Sequence, residues 1–263
     1  MTAVEVHVEV QGPRDRPVVI LSPSLGSTRR MWDPQISALT EHFHVVRYDP
    51  RGHGLSPVPP GRYDIEDLGA DLLALMDRLS IERAHLVGLS LGGMTAMWIG
   101  ARAPERVASL ALLCTSARMW PRETWIERAR VVREQGTQAV AAQVVARWFT
   151  PAWADRHPDV VSTMQQMVSA TPAEGYASCC GAIERMDLID DLRLIAAPTL
   201  VIAGAEDPSA PVDPHAKTIA HGISTATLEV IPSAAHLANV EQPEIVNALL
   251  LQHLLAHHRE DQR

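Results

Sequence analysis

The chain has 263 residues, a length typical of a single α/β domain, and 46% of them are hydrophobic, which is enough for a sizeable core. Its formal net charge of −8 and pI of about 5.8 argue against a nucleic-acid-binding protein, which would carry a basic surface. An anionic substrate would therefore need a local positive patch within an unfavourable overall field.

Cysteine usage and the N-terminal pattern predict the compartment. Two of the three cysteines are adjacent, and one of three must stay unpaired, which predicts a reducing environment without structural disulfides. The start, MTAVEVHVEVQG, lacks the basic-then-apolar order of a signal peptide. Since no apolar run approaches the roughly 18 residues of a membrane span, we expect a cytoplasmic protein without membrane or nucleic-acid partners.

Strand patterns recur along the chain. Residues 4–10 alternate with period two and predict a strand near a sheet edge, whereas residues 18–22 form a continuous apolar run typical of a strand buried on both faces. Further strands are predicted at 44–49, 85–90, 107–114, 199–204 and 227–232.

Helical patterns lie between these strands. Residues 64–81 place apolar side chains at helical spacing, with Asp64 as the N-cap. Residues 91–103 can be helical up to Pro104, and residues 244–258 form a terminal amphipathic helix. Strands alternating with helices predict a mostly parallel, twisted sheet flanked by helices.

Residues 116–194 interrupt this alternation with helical patterns only, and they hold four of the six tryptophans. The segment is much longer than an ordinary connection between strands. We therefore predict a helical cap at 116–194, inserted into a core domain made of 1–115 and 195–263. The alternative is a pair of ordinary crossover helices.

A Gly-x-Ser-x-Gly motif places Ser90 between Gly88 and Gly92, after a buried-strand pattern and before a helical one. A serine on such a sharp strand-to-helix turn is exposed as a nucleophile, and the glycines avoid a collision between strand and helix. The motif alone occurs by chance in roughly one chain in ten of this length, so the context carries the prediction. The alternative is a glycine-rich turn with an idle serine.

A serine nucleophile needs a base, and in this topology the order is serine, acid, histidine. Asp207 follows the strand pattern TLVIAG, and His236 lies in a loop after the last predicted strand. Ser90, Asp207 and His236 are thus the predicted triad, with Asp213 as the alternative acid. His53 fits better as a hydrogen-bonded loop residue.

The oxyanion hole requires two backbone N–H groups. We expect one from Leu91, directly after the nucleophile, and one from Leu25 in the loop SPSLGSTRRMW. The same loop is compatible with a plain turn before a helix.

Several of these segments together resemble the α/β-hydrolase superfamily over nearly the whole chain: GLSLGG, YDPRGHGLS, AGAEDP and AAHLANVEQPE. The family's usual His-Gly before the oxyanion residue is replaced by Pro23-Ser24. A narrower resemblance is to 3-oxoadipate enol-lactonases of aromatic degradation, carried by SLGSTRRMWDPQ, LSLGGMTAMWIGARAPER, CTSARMW, RWFTP and TPAEGYASCCGAIERMDL.

This resemblance implies hydrolysis of a small anionic lactone to 3-oxoadipate by a serine route that requires no metal or organic cofactor. The lactone carries a carboxylate, so a cationic group should face the pocket. Arg118, Arg133 and Arg147 are candidates, and Trp148 could line an apolar wall. For each arginine a solvated helix face is the commoner alternative.

The sequence is also compatible with other functions. The same triad suits another small-ester or lactone hydrolase, a carbon–carbon bond hydrolase or a perhydrolase side activity, whereas haloalkane dehalogenation would use Asp in place of Ser90. A hydrolase-like lactone receptor would keep the triad but turn over far more slowly than an enzyme.

Overall fold

The core of the molecule is a seven-stranded sheet with strand order β1-β3-β2-β4-β5-β6-β7, seen in a computed structural model that describes residues 2–258. Strand β1 is antiparallel to β3, and all other neighbours are parallel. The strands are β1 (Val8–Gln11), β2 (Val18–Ser22), β3 (His44–Tyr48), β4 (Ala84–Leu89), β5 (Val107–Leu113), β6 (Thr199–Gly204) and β7 (Ala226–Ile231). The predicted mostly parallel sheet is confirmed.

Eleven α-helices lie within the described part of the chain. They are α1 (Asp33–Thr40), α2 (Ile65–Arg78), α3 (Leu91–Arg102), α4 (Arg122–Gln135), α5 (Gln138–Val145), α6 (Pro151–Arg156), α7 (Pro158–Ser169), α8 (Ala173–Arg185), α9 (Lys217–Gly222), α10 (Ala238–Glu241) and α11 (Pro243–His258). Helices α1 and α11 contact each other and cover β3 and β5, while α3 covers β2, β4 and β5 and packs on α2.

Sequence patterns explain the central elements. Every residue of β4, β5 and β6 is buried, as continuous apolar runs in the middle of a parallel sheet require. Helix α2 begins after Asp64, where a capping box satisfies two otherwise unpaired backbone N–H groups. The Asp67 side chain accepts the Asp64 N–H at 2.9 Å.

Helices α4 to α8 occupy the segment between β5 and β6, where the cap is predicted. The one pairing of extended chain described there is a bridge between Arg118 and Asp187. Helix α8 packs directly on the core, because a Cβ atom at Gly175 would lie 2.2 Å from the carbonyl oxygen of Gly52. The assignment of 116–194 as a separate cap stays a prediction, and residues 1 and 259–263 of the assigned core lie outside the described residues.

Within residues 2–258, no helix is both long and apolar enough to cross a membrane. The three cysteines, Cys114, Cys179 and Cys180, are free thiols in buried positions.

Candidate active site

Ser90 lies in the sharp turn between β4 and α3, with a strained backbone at φ 55° and ψ −115°. Both flanking glycines are required by close backbone contacts. A Cβ at Gly88 would lie 2.3 Å from the Gly92 carbonyl oxygen, and a Cβ at Gly92 would lie 2.1 Å from that of Ser22. Any side chain there would push the strand and helix apart, so the turn presents the serine as the motif predicts.

Asp207 and His236 follow β6 and β7 and form a buried pair. The Nδ1–H of His236 donates to Asp207 Oδ2 at 2.8 Å, and Asp207 Oδ1 accepts the backbone N–H groups of Ser209 and Ala210 at 2.7 and 3.1 Å. Burial alone would raise the pKa of Asp207, but the charge and hydrogen bonds around it bring that pKa below its usual value. The carboxylate is thus held ionised and fixes the imidazole tautomer that leaves Nε2 free to accept a proton.

Asp213, the alternative acid, is exposed and pairs with Lys217 at 2.8 Å. The structure therefore joins His236 to Asp207 and not to Asp213.

The loop that carries His236 is tied to the segment between β5 and β6 by a buried carboxylate. Glu241 Oε2 accepts the Ala235 N–H at 2.7 Å, and Glu241 Oε1 accepts the Thr150 N–H at 3.0 Å. Leu237 N–H donates to the Trp148 carbonyl oxygen at 2.8 Å. These bonds hold the histidine loop against the helices that cover it.

The expected oxyanion donors are the backbone N–H groups of Leu91 and Leu25. Leu91 is the first residue of α3, where backbone N–H groups have no partner within the helix. Leu25 lies in the loop after β2 and lines the same cavity as Ser90. Neither of the two N–H groups has a hydrogen-bond acceptor within residues 2–258, so both are available to a ligand oxygen.

Ser90 and His236 open into one cavity of about 210 Å³ under α4, α5 and α8. No hydrogen bond links Ser90 to His236 in the described structure; in free enzymes such bonds are often long and tighten only with substrate. The walls are mainly apolar and include Met94, Met119, Trp120, Trp125, Val144 and Trp148.

Two arginines bring positive charge into this cavity. Neither Arg128 nor Arg147 forms an ion pair with a carboxylate of the described residues, and Arg147 Nε is buried without a hydrogen-bond partner. Burial and the neighbouring charge of Arg128 lower the pKa of Arg147. The Tyr176 hydroxyl is likewise buried without a partner; burial raises its pKa, and the two nearby guanidinium groups oppose that shift. Arg128 also lies over the Trp125 ring, 4.6 Å from its centroid. Two guanidinium groups without a carboxylate partner among the described residues, beside a buried hydroxyl, suit an anion.

The structure corrects the expectation for two arginines. Arg147 and Trp148 line the cavity as expected, but Arg118 and Arg133 do not. Arg133 donates to Glu174 at 2.9 and 3.0 Å, and Arg118 pairs with Asp187 at 3.3 Å and lies over the Trp120 ring. Both charges are already neutralised by a partner carboxylate outside the cavity.

Arg128 and Tyr176 were missed by the sequence analysis. Arg128 lies three residues after Trp125 and four before the buried Val132, so the three share one helix face. That spacing was the available signal for Arg128. No local pattern marks Tyr176 as a polar group of the cavity.

A comparison with known families agrees with this geometry. The family model of the alpha/beta hydrolase fold matches residues 17–243. The chain belongs to the α/β-hydrolase family. Ser90 lies at the turn where this fold presents its nucleophile, and relatives named as enol-lactonases at 41% and 37% identity show that the chain is an enzyme of the hydrolase class.

Individual α/β-hydrolases give a narrower comparison. The chain is 41% identical to 3-oxoadipate enol-lactonase 2 of Acinetobacter baylyi over 93% of its own length and 91% of that protein. The enol-lactonase from Burkholderia xenovorans LB400 superposes with a TM-score of 0.93 at 39% identity, over 95% of this chain and 96% of that one. A thermophilic esterase from Thermogutta terrifontis has a TM-score of 0.91 at 32% identity, over 97% and 94%. The resemblance to enol-lactonases is confirmed.

Proposed function

We propose that this protein hydrolyses small lactones or esters that carry a carboxylate, with 3-oxoadipate enol-lactone as the substrate. The observation that carries the proposal is the cavity that joins Ser90 and His236 to the guanidinium groups of Arg128 and Arg147, neither of which pairs with a carboxylate of the described residues. Its volume of about 210 Å³ lies below the roughly 300–1,000 Å³ of sites for drug-sized ligands, which favours a small substrate. The enol-lactonase relatives support the choice of lactone.

The chemistry begins with attack of Ser90 Oγ on the ring carbonyl carbon, while His236 Nε2 accepts the hydroxyl proton. Asp207 stabilises the resulting imidazolium through its bond to Nδ1. The N–H groups of Leu25 and Leu91 bind the oxygen that becomes negative. When the ring C–O bond breaks, the enol oxygen leaves and takes the proton from His236, giving an acyl-enzyme.

Hydrolysis of the acyl-enzyme repeats these steps with water. His236 removes a proton from the water, which attacks the acyl carbon, and the proton then returns to Ser90 Oγ as the acid departs. The enol tautomerises to the ketone. An enol is a better leaving group than an ordinary alkoxide, so ring opening makes a smaller demand on acid assistance from His236.

In this proposal Arg128, Arg147 and Tyr176 bind the carboxylate. Arg128 and Arg147 supply charge and donors, and the Tyr176 hydroxyl adds a third donor. Hydrogen bonds to charged groups are roughly twice as strong as neutral ones, so these groups fix which end of the lactone faces Ser90. The apolar walls enclose the lactone ring.

The first test is the loss of enol-lactone absorbance with freshly prepared lactone, because the lactone also hydrolyses unaided. We expect fast decay with the wild type and a loss of at least about 10³-fold in kcat for Ser90→Ala. Ser37→Ala, an exposed serine on α1, is the matched control and should keep full activity. Full activity of Ser90→Ala would refute the serine mechanism.

A general esterase is the second candidate, favoured by the apolar walls and by the similarity to the Thermogutta terrifontis esterase. Ser90-dependent cleavage of aryl esters, together with lactone decay no faster than in buffer, would move the function there. Absence of turnover on both substrates, with saturable lactone binding, would instead indicate a receptor.

A further inference from the structure

The loop that carries Leu25 is hydrogen-bonded to the loop between β3 and α2. The Gly26 N–H donates to His53 Nε2 at 2.9 Å, and the other ring nitrogen of His53, Nδ1, lies 3.2 Å from the Arg51 carbonyl oxygen. Since Nε2 accepts, the ring proton is on Nδ1 and is donated to that carbonyl. The histidine is completely buried, so no water competes for either bond.

Gly26 also packs against the Tyr176 ring. Its φ of +75° lies in the left-handed region, and a Cβ atom there would come within 2.9 Å of the Tyr176 ring. The peptide between Leu25 and Gly26 is therefore fixed between the Tyr176 ring and the His53 imidazole.

The same two loops are joined a second time, three residues further along. Asp49 Oδ1 accepts the Arg29 N–H at 2.9 Å, and Asp49 Oδ2 pairs with the Arg29 guanidinium at 2.8 Å. His53 and Asp49 thus accept hydrogen bonds from backbone N–H groups of residues that follow Leu25 in the chain. The Leu25 N–H itself has no acceptor among the described residues.

We propose that His53 is a positioning residue of the oxyanion hole: its neutral imidazole fixes the Gly26 peptide and so aims the adjacent Leu25 N–H at the carbonyl oxygen of the substrate. This inference rests on the proposed function for the role of Leu25. An oxyanion donor works because it is oriented before the reaction, and a small misplacement costs much of the rate. His53 touches no substrate and acts through the backbone of the loop.

The kinetic test compares two substitutions that differ in one property. His53→Gln keeps a hydrogen-bond acceptor, whereas His53→Leu removes it. We expect His53→Leu to lower kcat about 10- to 100-fold with KM changed less than about threefold, because the lost interaction strengthens in the transition state. His53→Gln should recover most of that loss.

His85→Leu is the matched control. His85 is another buried histidine, and its Nδ1 lies 2.8 Å from Ser109 Oγ inside the sheet, away from the Leu25 loop. A purely structural role for His53 predicts that both leucine variants lower the melting temperature and affect kcat alike. Equal kcat losses in the two variants, or an unchanged kcat in His53→Leu, would overturn the proposal.

A second measurement does not depend on activity. In protein labelled with ¹⁵N-leucine, the Leu25 amide signal is assigned through Leu25→Ile, and it should shift in His53→Leu but not in His85→Leu. In ¹⁵N-histidine spectra of the wild type, His53 should be neutral with its proton on Nδ1. A proton on Nε2, or an unmoved Leu25 signal, would overturn the proposal even if the leucine variant folds poorly.

The two proposals fail in different ways. A wild type that cleaves neither the lactone nor aryl esters would refute the proposed function, while the spectra would still decide whether His53 orients the Leu25 amide. A fully active wild type with an unshifted Leu25 signal would refute only the role of His53.

Discussion

Arg147 carries a positive charge into an apolar cavity without a carboxylate partner in the described structure. Leaving a buried charge unpaired is unfavourable, and the lowered pKa of Arg147, caused first by burial and then by Arg128, reflects that cost. A bound carboxylate would supply the missing partner. If the proposed function is correct, Arg147 would destabilise the free protein and favour the complex with an anionic substrate.

Replacing Arg147 by Met, which is uncharged and similar in length, should raise KM for the enol-lactone about 10- to 100-fold, because one charge-assisted contact is lost. The KM for an uncharged aryl ester should stay nearly constant. Arg133→Met is the control, since Arg133 already pairs with Glu174 outside the cavity. Equal KM changes for the charged and uncharged substrates would contradict a carboxylate site.

Tyr176→Phe removes one hydroxyl and keeps the ring that packs over Gly26. We expect KM for the lactone to rise about 3- to 10-fold, the effect of a single hydrogen bond, with little change in kcat. Steady-state kinetics on the lactone measure both values. A large fall in kcat with an unchanged KM would place the hydroxyl at the reacting carbonyl and not at the carboxylate.

At the scale of elements, the strands were the most predictable part of the fold. Strands β4, β5 and β6 are continuous apolar runs because both faces are covered, and their predicted bounds differ from the observed ones by at most one residue. Strand β1 is shorter than the alternating pattern at 4–10. The N–H groups of Val4 and His7 bond to the Asp71 and Ser56 side chains, so these residues are not paired as a strand.

The helices over the cavity were harder to interpret. Arg128 and Arg133 both lie on α4, five residues apart, and local sequence does not say which one is neutralised. Glu174, which pairs with Arg133, lies on α8, and the packing of α4 on α8 brings the two together. Substrate-facing residues therefore depend on tertiary contacts that neither periodicity nor motifs encode.

Helix α8 offers a matched pair of glycines for testing its contact with the core. Gly175→Ala would place a Cβ 2.2 Å from the Gly52 carbonyl oxygen, so it should lower the free energy of unfolding by about 1–3 kcal/mol. At Gly181 the nearest atom is the flexible end of Arg185 at 3.0 Å, so Gly181→Ala should be neutral or stabilising through helix propensity. Urea unfolding compares the two variants. Equal free energies of unfolding would show that α8 can shift to accommodate a Cβ atom at position 175.

At the scale of the whole molecule, the chain order of Ser90, Asp207 and His236 was enough to bring them to one edge of the sheet. They follow β4, β6 and β7, which run parallel, so all three lie at carboxyl ends, where ligands bind in this class of fold. Net charge was less informative about the site. The value of −8 describes the surface as a whole, whereas the cavity contains two arginines without described carboxylate partners.

Acid should destabilise the whole molecule before its carboxylates titrate fully. Burial lowers the pKa of His53 to about 4, while an unfolded histidine titrates near 6.5. Between these values the unfolded chain binds a proton that the folded protein does not, so the free energy of unfolding falls as pH decreases from about 6.5 towards about 4. The contribution of His53 is on the order of 3 kcal/mol across that window.

Urea unfolding at pH 7.5, 6 and 5 tests this linkage. His53→Gln cannot take up the proton, so its stability should decline less steeply with acid than that of the wild type, even if it starts lower at pH 7.5. His221→Gln, at an exposed position on α9, should keep the wild-type slope. Parallel slopes for His53→Gln and the wild type would mean that His53 is already protonated in the folded protein. A protonated His53 Nε2 could not accept the Gly26 N–H, so that hydrogen bond would be lost as well. The pH dependence of stability and the position of the Leu25 loop therefore both depend on an unprotonated His53 Nε2.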